Sequence, residues 1–198
     1  MRVCILMGSP RLNGGTAELC KPFIKHLKQK CVHVDYIELH NKNISPCLGC
    51  MQCQNIAHEY GCGQQDDMQF IIESVLQADA LVYATPIYSW QATPPTKTVM
   101  DRMFGLNKFY GSAPKGSLFT PKTIALIATC GYEPEYGADL LDEVVRRLCK
   151  HSGVSYSGMF AVRDGAVGDL MTFQTNEVIF GIQEFADKIL NEVERGAI

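Results

Sequence analysis

The sequence has no apolar run long enough to span a bilayer and no block of Lys or Arg. The first absence argues against a membrane-spanning segment, the second against a nucleic-acid stripe or a charged membrane patch. Eighteen basic against twenty-one acidic residues leave a net charge of -3, so neither nucleic acid nor a membrane is expected as a partner. Internal repeats and low-complexity segments are also missing. The opening apolar stretch, Val3 to Met7, is too short for a secretory leader and stops at Gly8-Ser9-Pro10-Arg11, which points to a soluble, cytoplasmic protein. An even disulfide framework is lacking too: the cysteines number nine, and four of them crowd between Cys47 and Cys62. That pattern fits reduced thiols or metal ligands. What is present is 198 residues, 46% hydrophobic and 20% charged, enough for one globular domain over residues 1–198.

Two nucleotide signatures are absent from the turn that follows the first apolar run. It has no Gly-Lys-Ser/Thr ending, so the lysine of a triphosphate cradle is missing, and no G-x-G-x-x-G of the usual dinucleotide turn. Instead Val3-Cys4-Ile5-Leu6-Met7 reads as a buried strand, Ser9 to Thr16 as a polar turn, and the stretch from Ala17 to Lys30 as an amphipathic helix. A helix start carries unpaired N–H groups and the positive end of the dipole, which favour an anion. Ser9, Asn13 and Thr16 add neutral donors, Gly14 and Gly15 permit close backbone approach, and Arg11 brings one full charge. The turn suits a phosphomonoester, and with triphosphates and dinucleotides set aside a mononucleotide such as FMN remains. A capped surface helix after a buried strand is the plain alternative.

Further along, Val32 to Ile37 alternates as a second strand, and residues 41–65 form an irregular, cysteine-rich loop. Asp66-Asp67 caps a helix to about Gln77. A buried strand over 78–84 opens into Thr85-Pro86-Ile87-Tyr88-Ser89-Trp90, and Pro94-Pro95 starts a helix to about Phe104. Residues 112–121 read as a surface excursion, Thr123 to Ala128 as the fourth strand, and Thr129-Cys130-Gly131-Tyr132 as the polar loop after it. A helix with Leu140, Val144, Val145 and Leu148 on its apolar face follows, then a fifth strand over 154–162 and a last helix over about 173–193. Strands alternating with helices imply a parallel sheet with right-handed crossovers. The expected fold is an α/β flavodoxin-like three-layer sandwich, five parallel strands in the order 2-1-3-4-5, with its ligand at the carboxyl ends of strands 1, 3 and 4.

Gly8-Ser9-Pro10-Arg11, Cys47-x-Gly49-Cys50-x-x-Cys53, Asp66-Asp67-Met68, Thr85-Pro86-Ile87-Tyr88 and Met100-Asp101-Arg102 occur in that order. Together these motifs resemble the NADPH-dependent FMN reductase and iron-sulfur flavoprotein families over residues 1 to about 150. One departure is Gly14-Gly15-Thr16 where the family often has Gly-Asn-Thr. The resemblance implies FMN held without a covalent link, its phosphate in the loop Ser9 to Thr16. Pro86, Ile87, Tyr88, Ser89 and Trp90 would border the ring and ribityl chain, and Thr129, Cys130 and Gly131 the pyrimidine edge. It also implies a homodimer with the flavin near its interface. Independently, Tyr88 or Trp90 at a strand end offers a flat wall for a ring, although packing against a helix or a second subunit explains such aromatics as well.

Hydride transfer from NAD(P)H to a flavin needs no general acid or base, so His58, His151 and Cys130 are not assigned catalytic roles. Glu133, Glu135 and Tyr136 fit an acceptor pocket or a solvated loop equally. Cys47-x2-Cys50-x2-Cys53-x8-Cys62 repeats the first part of a ferredoxin-like run, which would wrap a 4Fe-4S cluster. Against that, the last gap is long and no Cys-Pro follows. Four thiolates also suit zinc, and a reduced-thiol turn needs no metal at all. Three functions follow: an FMN-dependent NAD(P)H oxidoreductase acting on a quinone, nitro compound, flavin or metal ion; an iron-sulfur flavoprotein relaying electrons from a ferredoxin-type donor; and a thiol redox sensor without flavin.

Overall fold

The computed structural model describes residues 1–165 and 170–196. Its elements, in chain order, are β1 (Arg2–Met7), α1 (Gly15–Gln29), β2 (His33–Glu38), α2 (Met68–Leu76), β3 (Ala80–Pro86), α3 (Pro94–Arg102), β4 (Asn107–Lys108), β5 (Gly116–Ser117), β6 (Thr123–Cys130), α4 (Pro134–Gly137), α5 (Asp139–Ser152), β7 (Ser155–Arg163) and α6 (Asn176–Arg195). Short 3-10 turns stand at Leu39–Asn41, Gln52–Asn55, Met103–Leu106 and Met171–Gln174. The main sheet is parallel throughout, in the order β2-β1-β3-β6-β7. Counting only these strands, this is the flavodoxin-like order 2-1-3-4-5.

Burial explains the order. From Val3 to Met7 in β1, from Ala80 to Thr85 in β3 and throughout β6 every residue is buried, as a strand covered on both faces requires, whereas β2 and β7 are partly exposed edges. Alternate residues feed two cores. Val3, Ile5, Met7, Val82 and Ile127 pack with α1 and α6; Cys4, Leu6, Leu81, Tyr83 and Leu126 pack with α2, α3 and α5.

Several expected bounds shift for physical reasons. The first helix begins at Gly15, inside the turn expected before it, and β3 continues through Thr85 and Pro86 because these pair with Ala128 and Thr129. The long helix expected from Pro94 tightens into a 3-10 turn at Met103, and α6 starts at Asn176, capped by the Thr175 hydroxyl. On α5 the buried stripe is Leu141, Val145 and Cys149; Leu140, expected inward, is exposed. Asp67 stands at the α2 cap position without capping it, and the side chain that accepts from the Met68 amide is Asp66 (3.1 Å). The expected surface excursion over 112–121 contains β5, which pairs antiparallel with β4 before it, a pairing the sequence pattern did not suggest.

Candidate functional site

Three loops leave the carboxyl ends of β1, β3 and β6 side by side, because Met7 is level with Ala84, and Pro86 with Thr129. Ser9 is buried; its hydroxyl accepts from the Arg11 amide (3.1 Å) and donates to the Arg11 carbonyl (3.2 Å), closing a tight turn. Gly14 donates to the Arg11 carbonyl (3.0 Å), and α1 then starts with no side-chain cap. Among the described residues, the amides of Gly15, Thr16 and Ala17 find no acceptor. Such a start is a site for an anion. Gly15 is glycine for a packing reason: a β-carbon there would run into the Phe173 ring, brought from the far end of the chain.

The Thr16 hydroxyl is buried against the Thr129 hydroxyl at 2.8 Å, and the second hydroxyl hydrogen of the pair has no acceptor among the described residues. Asn13 and Arg11 are exposed, and the Arg11 guanidinium stands 3.5 Å from Asp164, which offsets part of its charge. Below the loops runs a connection the sequence reading missed. Thr93 donates to the Gly8 carbonyl (2.7 Å), meets Thr96 (3.0 Å), and takes the Thr85 hydroxyl at 3.3 Å. All three threonines are fully buried, so the first and second loops are pinned to one another from underneath.

The second loop is strained. Tyr88 and Gln91 exchange backbone hydrogen bonds (2.9 and 3.0 Å) across Ser89 and Trp90, whose φ values of 50° and 61° lie in the left-handed region. Neither is glycine, and each such residue costs about 1–2 kcal/mol. Trp90 projects from this turn and stacks on Tyr132 (ring centroids 6.0 Å, planes 11° apart) and meets Tyr136 edge-on (5.9 Å). Its indole nitrogen donates to the Tyr136 carbonyl (3.2 Å). Ile87, Ser89, Trp90, Gly131, Tyr132 and Gly137 line a cavity of about 190 Å³. The structure therefore gathers Ile87, Ser89, Trp90 and Gly131, and adds Tyr132 and Tyr136. Tyr88 is half exposed and lines no part of it. Cys130 is buried against the Tyr132 carbonyl (3.3 Å); burial, Glu133 and Glu135 push its thiol up.

The cysteine loop packs beside α3 and β4. Cys47 and Cys50 are exposed, Cys53 and Cys62 half buried, and all four are free thiols. Among the described residues, no three His, Cys, Asp or Glu side chains stand together as a metal site. Three buried side chains hold the loop in place. Gln54 donates to the Phe104 and Asn107 carbonyls (3.0 and 2.9 Å) and accepts from the Phe109 and Tyr110 amides (3.1 and 3.3 Å). Arg102 donates to Asp66 (2.8 and 3.2 Å), the Ser45 carbonyl (2.8 Å) and the Tyr60 hydroxyl (3.2 Å). For Asp66, burial raises the pKa but is outweighed by the Arg102 hydrogen bond and the Ser45 and Met68 amides, so it lies below the usual carboxylate value. Lys108 donates to the Cys53 and Tyr60 carbonyls (2.7 and 3.2 Å); burial pushes its ammonium down, while Cys53 and Glu59 hold it up. Only Arg102 had a sequence signal, in Met100-Asp101-Arg102.

An α/β sandwich with an unpaired helix start and an aromatic-walled cavity at one sheet edge belongs to the flavodoxin-like class. Within that class the chain belongs to the NADPH-dependent FMN reductase family, whose profile matches residues 1–167. An iron-sulfur flavoprotein of Archaeoglobus fulgidus is 30% identical over 169 residues, covering 85% of this chain and 73% of that one. Another, of Methanocaldococcus jannaschii, is 37% identical over 102 residues. That match covers 52% of this chain and 50% of the relative, so the chain aligns with about half the relative's length. Among solved structures, an FMN-dependent NADH-azoreductase of Bacillus anthracis in complex with FMN superposes with a TM-score of 0.66 at 14% identity, covering 95% of this chain and 98% of that one. Among the described residues no helix is long and apolar enough to cross a membrane.

Proposed function

We propose that the chain is an FMN-dependent oxidoreductase that accepts hydride from NAD(P)H and passes electrons to a small acceptor such as a quinone, nitro compound, flavin or metal ion. The observation that carries this reading is the uncapped start of α1, with three unpaired amides and the Thr16–Thr129 hydroxyl pair beside it. Those groups fit a phosphate monoester, which they meet with neutral donors and the helix dipole. Ser9 to Thr16 would hold the phosphate, and Pro86 to Trp90 with Thr129, Cys130 and Gly131 the ring. Bound there, FMN would supply the hydride-accepting chemistry. Trp90, Tyr132 and Tyr136 would exclude water from one side of it, and no side chain needs to move a proton. The exposed rings of Tyr88, Trp90, Tyr132 and Tyr136 also suit burial in a homodimer. Titration of apoprotein with FMN, read by quenching of the sole tryptophan, Trp90, tests the site. Anaerobic addition of NADPH or NADH tests the donor: bleaching of bound FMN is expected, and an unchanged flavin spectrum with both rejects direct nicotinamide oxidation.

A second reading, electron relay by an iron-sulfur flavoprotein, is favoured by the cysteine loop. Its donor set fits a 4Fe-4S cluster in kind: four thiols within sixteen residues, beside the cations Arg102 and Lys108. Cys47, Cys50, Cys53 and Cys62 would hold the cluster, which would supply one-electron transfer between a ferredoxin-type donor and FMN. Broad brown absorbance and iron in anaerobically prepared protein support this reading, and iron-free yellow protein rejects it.

A further inference from the structure

Among the described residues three charged residues are buried as a whole, Glu18, Arg102 and Lys108, and the Asp66 side chain is buried with Arg102. Glu18 is paired with Lys21 and Arg102 with Asp66. Lys108 differs, because its ammonium reaches two carbonyl oxygens and no carboxylate of the described residues lies within ion-pair distance. A buried cation without a counter-anion is unfavourable, so one that the fold keeps marks a place where negative charge would be stabilised. Glu59, the acid whose charge acts on Lys108, is exposed. What stands against the ammonium is the Cys53 residue, whose carbonyl it binds at 2.7 Å; burial pushes the Cys53 thiol up, and the Lys108 charge works against that rise. The placement is rigid: Gln54 clamps the backbone on both sides of Lys108, through Asn107 and Phe109, and β4 is paired to β5.

We propose that Lys108 is the counter-cation of the cysteine loop, a clamped charge that balances the thiolates when the loop holds an iron-sulfur centre and so raises that centre's midpoint potential. The effect on the potential rests on the iron-sulfur reading. One electron added on reduction makes the centre more negative by one unit, and a fixed cation beside it favours that state. Lys108 is a positioning residue, acting through Cys53.

The test compares wild type, Lys108→Met and Lys108→Arg after anaerobic reconstitution with ferrous iron and sulfide, with dithionite as the titrating reductant. Lys108→Met is expected to lower the midpoint by about 59 mV, a tenfold change in a one-electron equilibrium, and Lys108→Arg to restore most of it. An unchanged midpoint in Lys108→Met overturns the proposal, as does loss of iron by both variants, which marks a mere strut; loss by Lys108→Met alone supports it. Should wild type take up no iron, the iron-sulfur reading fails and metal-free protein decides. The rate ratio of anionic iodoacetate to neutral iodoacetamide at Cys53 reports the local field, because both reagents attack the same thiolate. A ratio about threefold higher in native wild type than in denaturant, falling in Lys108→Met or Lys108→Gln, supports the counter-cation, and equal ratios in wild type overturn it. The overturning result needs no variant, so the proposal stays falsifiable even if Lys108→Met does not fold.

Discussion

The two halves of the ligand edge are built on opposite plans. On one side, the loops after β1, β3 and β6 are short, hang from fully buried parallel strands and are tied to each other by neutral hydroxyls, Thr85, Thr93, Thr96 and the Thr16–Thr129 pair. On the other, the cysteine loop has little regular structure and is held by the buried Gln54 amide and by two buried charges, Arg102 on Asp66 and Lys108 on two carbonyls. The sheet side needs no charge because backbone amides and a helix dipole already face the ligand. The loop side has no such scaffold, so buried ionic groups fix it, which makes it the half more sensitive to losing one partner.

The largest test of this contrast is Asp66→Asn, which leaves the buried Arg102 guanidinium without its carboxylate. A loss of about 3–5 kcal/mol is expected from urea unfolding. The same pair sets an acid limb. Since the folded Asp66 pKa lies below its unfolded value, its contribution is complete above the unfolded value, near pH 3.9, and disappears as pH falls through the folded one. The stability gap between wild type and Asp66→Asn should therefore narrow below about pH 4, and a constant gap would break the ionic account.

On the sheet side, Thr93→Val removes the donor to the Gly8 carbonyl and a partner of Thr85 and Thr96. About 1–3 kcal/mol should be lost, with weakened FMN binding in the titration above. If this loss exceeds that of Asp66→Asn, the ranking of the two halves is reversed.

Smallest is Ser89→Gly. Relief of left-handed strain gains about 1–2 kcal/mol, less about 0.5–1 for the freer unfolded chain, so a net gain of about 0.5–1 kcal/mol is expected. A variant that is more stable yet binds FMN less well would show that the strained turn holds Trp90 for the ligand.

Legibility in the sequence followed the same division. The central strands were readable because both faces are buried, so their apolar runs are unbroken and punctuated by Gly8 and Pro86. Thr16 and Thr129, and Ile87, Ser89, Trp90 and Gly131, were legible as candidate site residues, and each set meets in the structure, although Thr16 lies inside α1 and Thr129 inside β6, which runs on through Cys130. Tyr132 was named only as a loop residue and Tyr136 as either a pocket or a loop residue, since nothing in their spacing tells that both rings fold against Trp90. Leu140 misled because a helix presents one apolar face, and the neighbours that select the face through Leu141 and Val145 lie elsewhere in the chain.

By itself the sequence determined the alternation of strands and helices, the polar turn over Ser9 to Thr16 and the crowding of four thiols, because these depend on residues near one another in the chain. Only the tertiary structure decided that Phe173 covers Gly15, that Thr93 pins Gly8, and that Lys108 lies buried against Cys53 without a carboxylate. Each of those joins residues at least fifty positions apart, where the outcome turns on packing and on which buried polar groups find partners.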